Sequence, residues 1–284
     1  MKLPAITIPD RYNYIATFLT LNCNLRCSYC INRFSDLKAP GKMLSGKEWI
    51  AGLSRIVSRP DLPVTLGGGE PTLHPDFHEI VNGISEELNI DLLTNLQFDI
   101  SRFKAEISPE RIKRESPYAS IRVSYHPEVM DLEALVDKVL NLQNAGYSIG
   151  IWGVLHPLHE AEVLKARDFC IGLGIDFRTK EFLGEYDGIM YGSYSYPGAF
   201  DKKGVKNVRC RTSELIIGPG GDVFRCHSDL YDGFSPVGNI LDPDFYIDES
   251  FRSCERYGFC NPCDVKLKTD RFQVYGHTSV EIIR

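Results

Sequence analysis

No apolar run in this chain approaches the ~18–20 residues that a membrane helix needs, so no membrane span is expected. The first ten residues hold two prolines and an acid but no apolar signal core. Secretion is therefore not expected, and the chain reads as cytoplasmic. A surplus of positive charge is also missing. The 32 Lys+Arg against 38 Asp+Glu leave a formal charge of -6, which argues against binding driven by nucleic-acid phosphates. Internal repeats and low-complexity stretches are absent. With 43% hydrophobic and 25% charged residues, collagenous and disordered classes are excluded. The 284 residues suit one large domain, or a large domain with a small appendage.

What is present is an alternation of short strands and helical patterns. Strands are expected at Tyr14–Thr20, Pro63–Leu66, Ile90–Thr94, Ala119–Tyr125, Ser148–Leu155 and Ile175–Leu183, each rich in β-branched or aromatic residues. Between them, Ser45 with Glu48 reads as a capping box, and Ser108-Pro109 as a helix start. Helices are expected over 76–88, 131–144 and 160–172. Six strands alternating with helices predict an α/β fold, a parallel sheet left open or curled into a partial (β/α)6 TIM-like barrel. Ligands then bind at the carboxyl ends of the strands. After residue 184 the rhythm breaks, and residues 213–217 and 222–225 around Pro-Gly-Gly read as a hairpin. The expected segments are 11–184, a core; 185–206, a Gly- and Tyr-rich connector; 207–270, a cysteine-rich domain; and 271–284, a tail forming a strand or short helix.

Nine cysteines in a reducing compartment point to metal or catalysis rather than disulfides. Cys23, Cys27 and Cys30 stand at Cys-x3-Cys-x2-Cys spacing, where their thiolates can wrap one soft centre. No His or Cys follows before His74, which disfavours a locally completed zinc site. Three thiolates suit three irons of a [4Fe-4S] cluster and leave the fourth iron open. A zinc loop completed from elsewhere is the alternative. The second strand ends in Gly67-Gly68-Gly69-Glu70-Pro71, where glycines permit close backbone approach.

These two runs resemble the cluster-binding and glycine motifs of the radical S-adenosylmethionine (SAM) superfamily, in the positions where that superfamily has them. The resemblance implies that Cys23, Cys27 and Cys30 hold a [4Fe-4S] cluster whose open iron chelates SAM. It implies reductive cleavage to a 5′-deoxyadenosyl radical, with a flavodoxin or ferredoxin-type electron donor. It places Tyr29 at the adenine, Gly68, Gly69 and Glu70 at the methionine amino group, and Thr94, Asn95 and Ser124 among the softer SAM contacts. Arg122 and His126 share the strand face of Ser124.

The C-terminal cysteines resemble the SPASM extension or its shorter form, twitch: Cys210, a hairpin carrying Gly221-x4-Cys226, then Cys254-x5-Cys260-x2-Cys263. Five cysteines fit one auxiliary [4Fe-4S] cluster, held by Cys210, Cys226, Cys260 and Cys263 in a twitch-like β-hairpin domain. A zinc ribbon of the same thiolates is the alternative, since spacing does not separate the two. Cys254 is then spare, as a replacement ligand, a buried apolar residue or a thiol hydrogen donor. Cys170 reads as core.

The resemblance implies hydrogen abstraction, followed by oxidation through the auxiliary cluster or by epimerisation through the Cys254 thiol. Oxidation needs a base, for which Lys180 and Glu181, with Arg178, are the candidates at the end of the sixth strand. The start at Cys23 leaves no room for a peptide-leader domain before it. The aromatic connector, with Tyr186, Tyr191, Tyr194, Tyr196 and Phe200, suits a polar ring. A small sugar or aminocyclitol-like metabolite is therefore the expected substrate. Peptide modification is the alternative, and an iron–sulfur carrier or SAM-binding regulator a distant one.

Overall fold

The computed structural model describes residues 3–32, 42–203, 208–234, 236–269 and 274–283. The expected boundaries at 206/207 and 270/271 lie outside the described residues. Six parallel strands form the core: β1 (Tyr14–Thr20), β2 (Val64–Gly68), β3 (Ile90–Thr94), β4 (Ile121–Tyr125), β5 (Ile149–Leu155) and β6 (Phe177–Glu181). They lie in sequence order, each parallel to the next. Helices α1 (Gly46–Leu53), α2 (Phe77–Gly83), α3 (Ile100–Glu106), α4 (Pro109–Ile112), α5 (Leu132–Asn144) and α6 (Glu160–Gly172) occur in the connections.

The helix starts follow from capping chemistry. Ser45 Oγ accepts from Glu48 N–H, and Glu48 Oε2 accepts from Ser45 N–H at 2.8 Å, which closes the capping box of α1. Asp131 accepts from Ala134 N–H at 2.8 Å and starts α5. Leu135, Val136, Val139 and Leu142 of α5 are buried, each contributing roughly 1.5–3 kcal/mol relative to exposure.

Along β1, Ile15 and Leu19 join the core shared with the helices, whereas Ala16 and Phe18 face a second cluster with Ile216, Leu230 and Tyr231. That period of two gives the sheet an outer, helix-covered face and an inner face.

The sheet does not stop at the connector. After it come β7 (Val208–Thr212), β8 (Glu214–Ile217), β9 (Asp222–Phe224), β10 (Gly238–Asn239), β11 (Arg252–Cys254) and β12 (Val280–Ile283). β8 pairs in parallel with β1, and β9 and β10 extend the edge antiparallel, giving the order β10-β9-β8-β1-β2-β3-β4-β5-β6. The expected hairpin is thus part of the main sheet. β7 pairs with β11 and with β12 in a separate small sheet, so the tail returns as a strand. Helices α7 (His227–Asp232) and α8 (Pro262–Val265) complete this region. The connector contains a short hairpin, Gly184–Tyr186 with Ile189–Tyr191, turning at Asp187 (φ 50°) and Gly188 (φ 72°). Among the described residues, no helix is long and apolar enough to cross a membrane.

Candidate active site and cysteine centres

The cysteine loop leaves the carboxyl end of β1. Cys23, Cys27 and Cys30 are free and half-buried on it. Leu25 N–H donates to Cys23 Sγ at 3.4 Å, and Cys30 N–H donates to the Cys27 carbonyl at 3.2 Å. Burial, with the neighbouring Cys30, Glu128 and Cys23 charges, pushes the Cys27 thiol up to about 12. Thiolate formation there therefore depends on a cationic centre that displaces the proton. Among the described residues, no three His, Cys, Asp or Glu side chains close on a single metal-ion position. The cysteine groups are defined instead by a shared loop and a shared cavity wall. Their soft, all-thiol donor set fits an iron–sulfur centre.

Tyr29 packs on the strand ends β4 and β5. Its ring stacks on His156 at 4.8 Å between centroids, with His126 at 5.6 Å and His159 at 5.8 Å. Tyr29 Oη lies 3.2 Å from His126 Nδ1. Burial pulls His126 down to about 4, so its ring is neutral and can accept from the phenol. Ser28 ties the same turn to Glu128 through its N–H (2.5 Å) and Oγ (2.8 Å). These three histidines escaped the sequence reading of Tyr29, although His126 was placed on the neighbouring strand face.

The glycine run is pressed against the chain that leads to Cys23. Gly68 has φ +142°, and a Cβ there would stand 2.1 Å from the Thr20 carbonyl oxygen. A Cβ at Gly69 would stand 2.1 Å from the Asn22 oxygen. Gly69 N–H donates to Thr20 O at 3.0 Å and Glu70 N–H to Asn22 O at 2.8 Å. Only glycine fits this backbone-on-backbone contact, which fixes the glycine turn to the cysteine loop.

The Glu70 side chain differs from its expected role. It is fully buried, and its carboxylate accepts four hydrogen bonds. These come from Thr72 N–H (3.2 Å), Thr72 Oγ1 (2.7 Å), Thr94 Oγ1 (2.8 Å) and Asn95 N–H (2.7 Å). Burial raises its pKa, and the four donors oppose that rise. The carboxylate thus pins the end of β2 to the end of β3, rather than facing outward to an ammonium. Thr94 and Asn95 belong to the same tie. The Asn95 amide continues it, donating to Asn24 Oδ1 at 2.7 Å and reaching Cys23 Sγ at 3.8 Å. Ser124 is half-buried beside Trp152 on the inner face. Gly69 N–H already donates to Thr20 O, so an ammonium at the half-buried Gly68 and Gly69 would meet carbonyl oxygens.

The second cysteine group surrounds a cavity of about 40 Å³, larger than one water needs. Cys210, Cys226, Cys254 and Cys260 line it, with Arg225 and Arg256 in the same wall. β7 and β11 set two of them, since Val208 opposes Cys254 and Cys210 opposes Arg252. The Cys210 thiol hydrogen-bonds Cys254, which raises Cys210 and lowers Cys254. Cys226 caps α7, its sulfur accepting from Asp229 N–H at 3.4 Å. Cys254 stands in that wall beside three of the four expected ligands, and Cys263 is not among the lining residues. Cys263 lies one turn on, within electrostatic reach of Glu214, Lys266 and Lys268, and burial lifts it to about 11.

Lys180 and Glu181 part company. Strand alternation puts Lys180 on the inner face and Glu181 on the other, so they do not form one acid–base pair. Four buried ion pairs were not legible as site features: Asp91 with Arg114 and with Arg122, Asp264 with His227, and Glu214 with Lys268.

Residues 17–116 match the family model described as the radical SAM superfamily. That stretch of the chain carries the similarity to the superfamily, and the structural neighbours share the fold. Mycofactocin maturase MftC of Mycobacterium ulcerans is 23% identical over 270 residues, spanning 78% of this chain and 70% of its own. GTP 3′,8-cyclase of Aquifex aeolicus is 28% identical over 182 residues, 58% of this chain and 55% of the cyclase. Streptococcus suis SuiB, solved bound to its precursor peptide SuiA, superposes with a TM-score of 0.53 at 16% identity. That alignment covers 85% of this chain and 63% of SuiB. The matched stretch takes in the cysteine loop after β1 and the glycine turn after β2. The chain spans little more than half the length of the cyclase, so that enzyme's activity is not transferred to it.

Proposed function

We propose that this radical SAM chain modifies a peptide by abstracting hydrogen from an unreactive C–H bond. The observation that carries the reading is the tie at the strand ends, where Glu70 and Asn95 lock the glycine turn, β3 and the Cys23 loop into one rigid rim. A bound [4Fe-4S] cluster with SAM would supply the 5′-deoxyadenosyl radical. Cys23, Cys27 and Cys30 hold that centre, the peptides of Gly68 and Gly69 take the methionine end, and Tyr29 and Ser124 orient the nucleoside. Cys210, Cys226, Cys254 and Cys260 hold an auxiliary cluster. Cys254 then ceases to be the free thiol, and Cys263 lies outside that set.

The names of two relatives, a maturase and a structure with a precursor peptide, favour a peptide over the sugar-like metabolite expected from the sequence. Likeness to a GTP cyclase keeps a small anionic metabolite as the second reading. The discriminating experiment incubates anaerobically reconstituted protein with SAM, dithionite and either short peptides or nucleotides and phosphosugars in deuterated buffer. A mass change in a peptide, with added 5′-deoxyadenosine, supports the proposal. Turnover confined to the nucleotides or sugars overturns it.

A further inference from the structure

The turn from Cys27 to Cys30 carries two cysteines of the first group, yet it has little hydrogen bonding of its own. Its internal bond is Cys30 N–H to the Cys27 carbonyl, at 3.2 Å. Among the described residues, the hydrogen bonds that tie residues 26–30 to the rest of the chain run through Ser28 and Tyr29. Ser28 is met by Glu128, which lies 100 residues further along the chain. Glu128 Oε1 accepts from Ser28 N–H at 2.5 Å and Oε2 from Ser28 Oγ at 2.8 Å, so both carboxylate oxygens close on one residue. Charge-assisted bonds of this kind are short and roughly twice as strong as neutral ones.

Glu128 is itself held in place. It sits in a turn after β4, where Val129 N–H donates to His126 O at 3.1 Å and His126 N–H to Met130 Sδ at 3.3 Å. Its side chain is 18% exposed, and among the described residues no Lys or Arg pairs with it. His159 Nε2 lies 3.9 Å from Oε2, while His159 Nδ1 lies 3.6 Å from Glu162. The same turn supplies His126, whose Nδ1 is 3.2 Å from Tyr29 Oη. One turn, 126–129, thus grips two consecutive residues of the cysteine loop: Ser28 by its backbone and hydroxyl, Tyr29 by its phenol.

Charge does not explain this placement. A carboxylate beside thiols opposes their ionisation, so an anion here hinders the cysteines rather than helping them. Geometry does explain it, because a loop ordered in advance lowers the entropy lost when a ligand binds. We infer that Glu128 is a positioning residue for SAM: acting through Ser28, it fixes the Cys27–Cys30 turn and so holds Tyr29 in place for the nucleoside. The inference deepens the proposed function and rests on it for the identity of that ligand, but the clamp itself does not.

The test has one arm on the apoprotein and one on the reconstituted enzyme. Arg26 is exposed at the start of the turn, so trypsin cleavage after it reports how firmly the turn is held. Under thiol reductant, Glu128→Ala should speed that cleavage severalfold, while cleavage after exposed Lys47 and Lys165 and the urea midpoint stay unchanged. After reconstitution, Glu128→Ala should keep its iron and bind SAM severalfold more weakly, read from the SAM-induced change in the EPR signal of the reduced centre. Glu128→Gln should restore both, since its amide oxygen can accept from Ser28 N–H and its amide N–H can donate to Ser28 Oγ. Ser28→Ala should repeat part of the effect, and the double variant should be no worse than Glu128→Ala alone. Unchanged cleavage at Arg26 in Glu128→Ala, a Gln variant as loose as Ala, or additive effects in the double variant overturn the clamp. Faster cleavage with unchanged SAM affinity overturns the positioning role. A wild-type protein that binds no SAM sinks the proposed function, whereas the trypsin arm, which uses no SAM, still decides the clamp.

Discussion

Replacing Glu70 distinguishes a structural tie from a ligand contact. Glu70→Ala would strand two buried donors, Thr94 Oγ1 and Asn95 N–H, and loosen Thr72. A hydrogen bond to a charged group contributes about 1.5–3 kcal/mol, so two give about 3–6 kcal/mol before any cavity left behind. Glu70→Gln keeps the shape but turns an amide N–H toward one of those donors, a loss of about 1–3 kcal/mol. The assay is urea unfolding of the apoprotein under thiol reductant, followed by circular dichroism, with SAM binding measured on reconstituted protein. Both variants should unfold at lower urea, Ala before Gln. The reasoning is refuted if Glu70→Ala stays within about 1 kcal/mol of wild type while SAM binding disappears, because the carboxylate would then be a ligand contact.

Other substitutions test the remaining contacts. Cys254→Ala should remove iron from the second centre, whereas Cys263→Ala should leave it; iron analysis of both variants in a Cys23/Cys27/Cys30→Ala background reads this directly. Gly69→Ala drives a Cβ to 2.1 Å from Asn22 O, so it should destabilise the fold by about 3 kcal/mol or more, visible in the same urea series. Asp91→Asn leaves two guanidiniums, 4% and 14% exposed, without a full countercharge, and should lower stability by about 3–5 kcal/mol. A variant of Asp91 as stable as wild type would mean that water, not Asp91, satisfies Arg114 and Arg122.

Much of the fold was legible because period and capping agree locally. Residues 160–172 and nearly all of 131–144 became helices as read, and the strand pattern at Tyr14–Thr20 and Ile90–Thr94 matched the pairing. The hairpin after Ser213 was legible as a hairpin, but not as an extension of the sheet. Pairing of β8 with β1 is a contact between residues some two hundred apart, and local pattern carries no information about it. The connector hairpin did have a signal, since Asp187-Gly188 between aromatic and aliphatic residues is a favoured two-residue turn.

Site legibility followed the same division. The thiols of the cysteine loop and the glycine turn announce their chemistry by spacing. The direction of the Glu70 carboxylate depends on Thr94 and Asn95, which arrive from another strand. Cys254 reaches the cavity through the pairing of β7 with β11, to which the Cys-x5-Cys-x2-Cys spacing is indifferent. Lys180 and Glu181 could have been separated from sequence alone, because adjacent strand residues face opposite sides.

Reductive SAM cleavage tests the central claim most directly. Anaerobically reconstituted protein, given SAM and dithionite without added substrate, should release 5′-deoxyadenosine and methionine, and the Cys23/Cys27/Cys30→Ala variant should release none. A wild-type protein that binds iron at the cysteine loop yet forms no 5′-deoxyadenosine, or a triple variant that still forms it, would contradict the account.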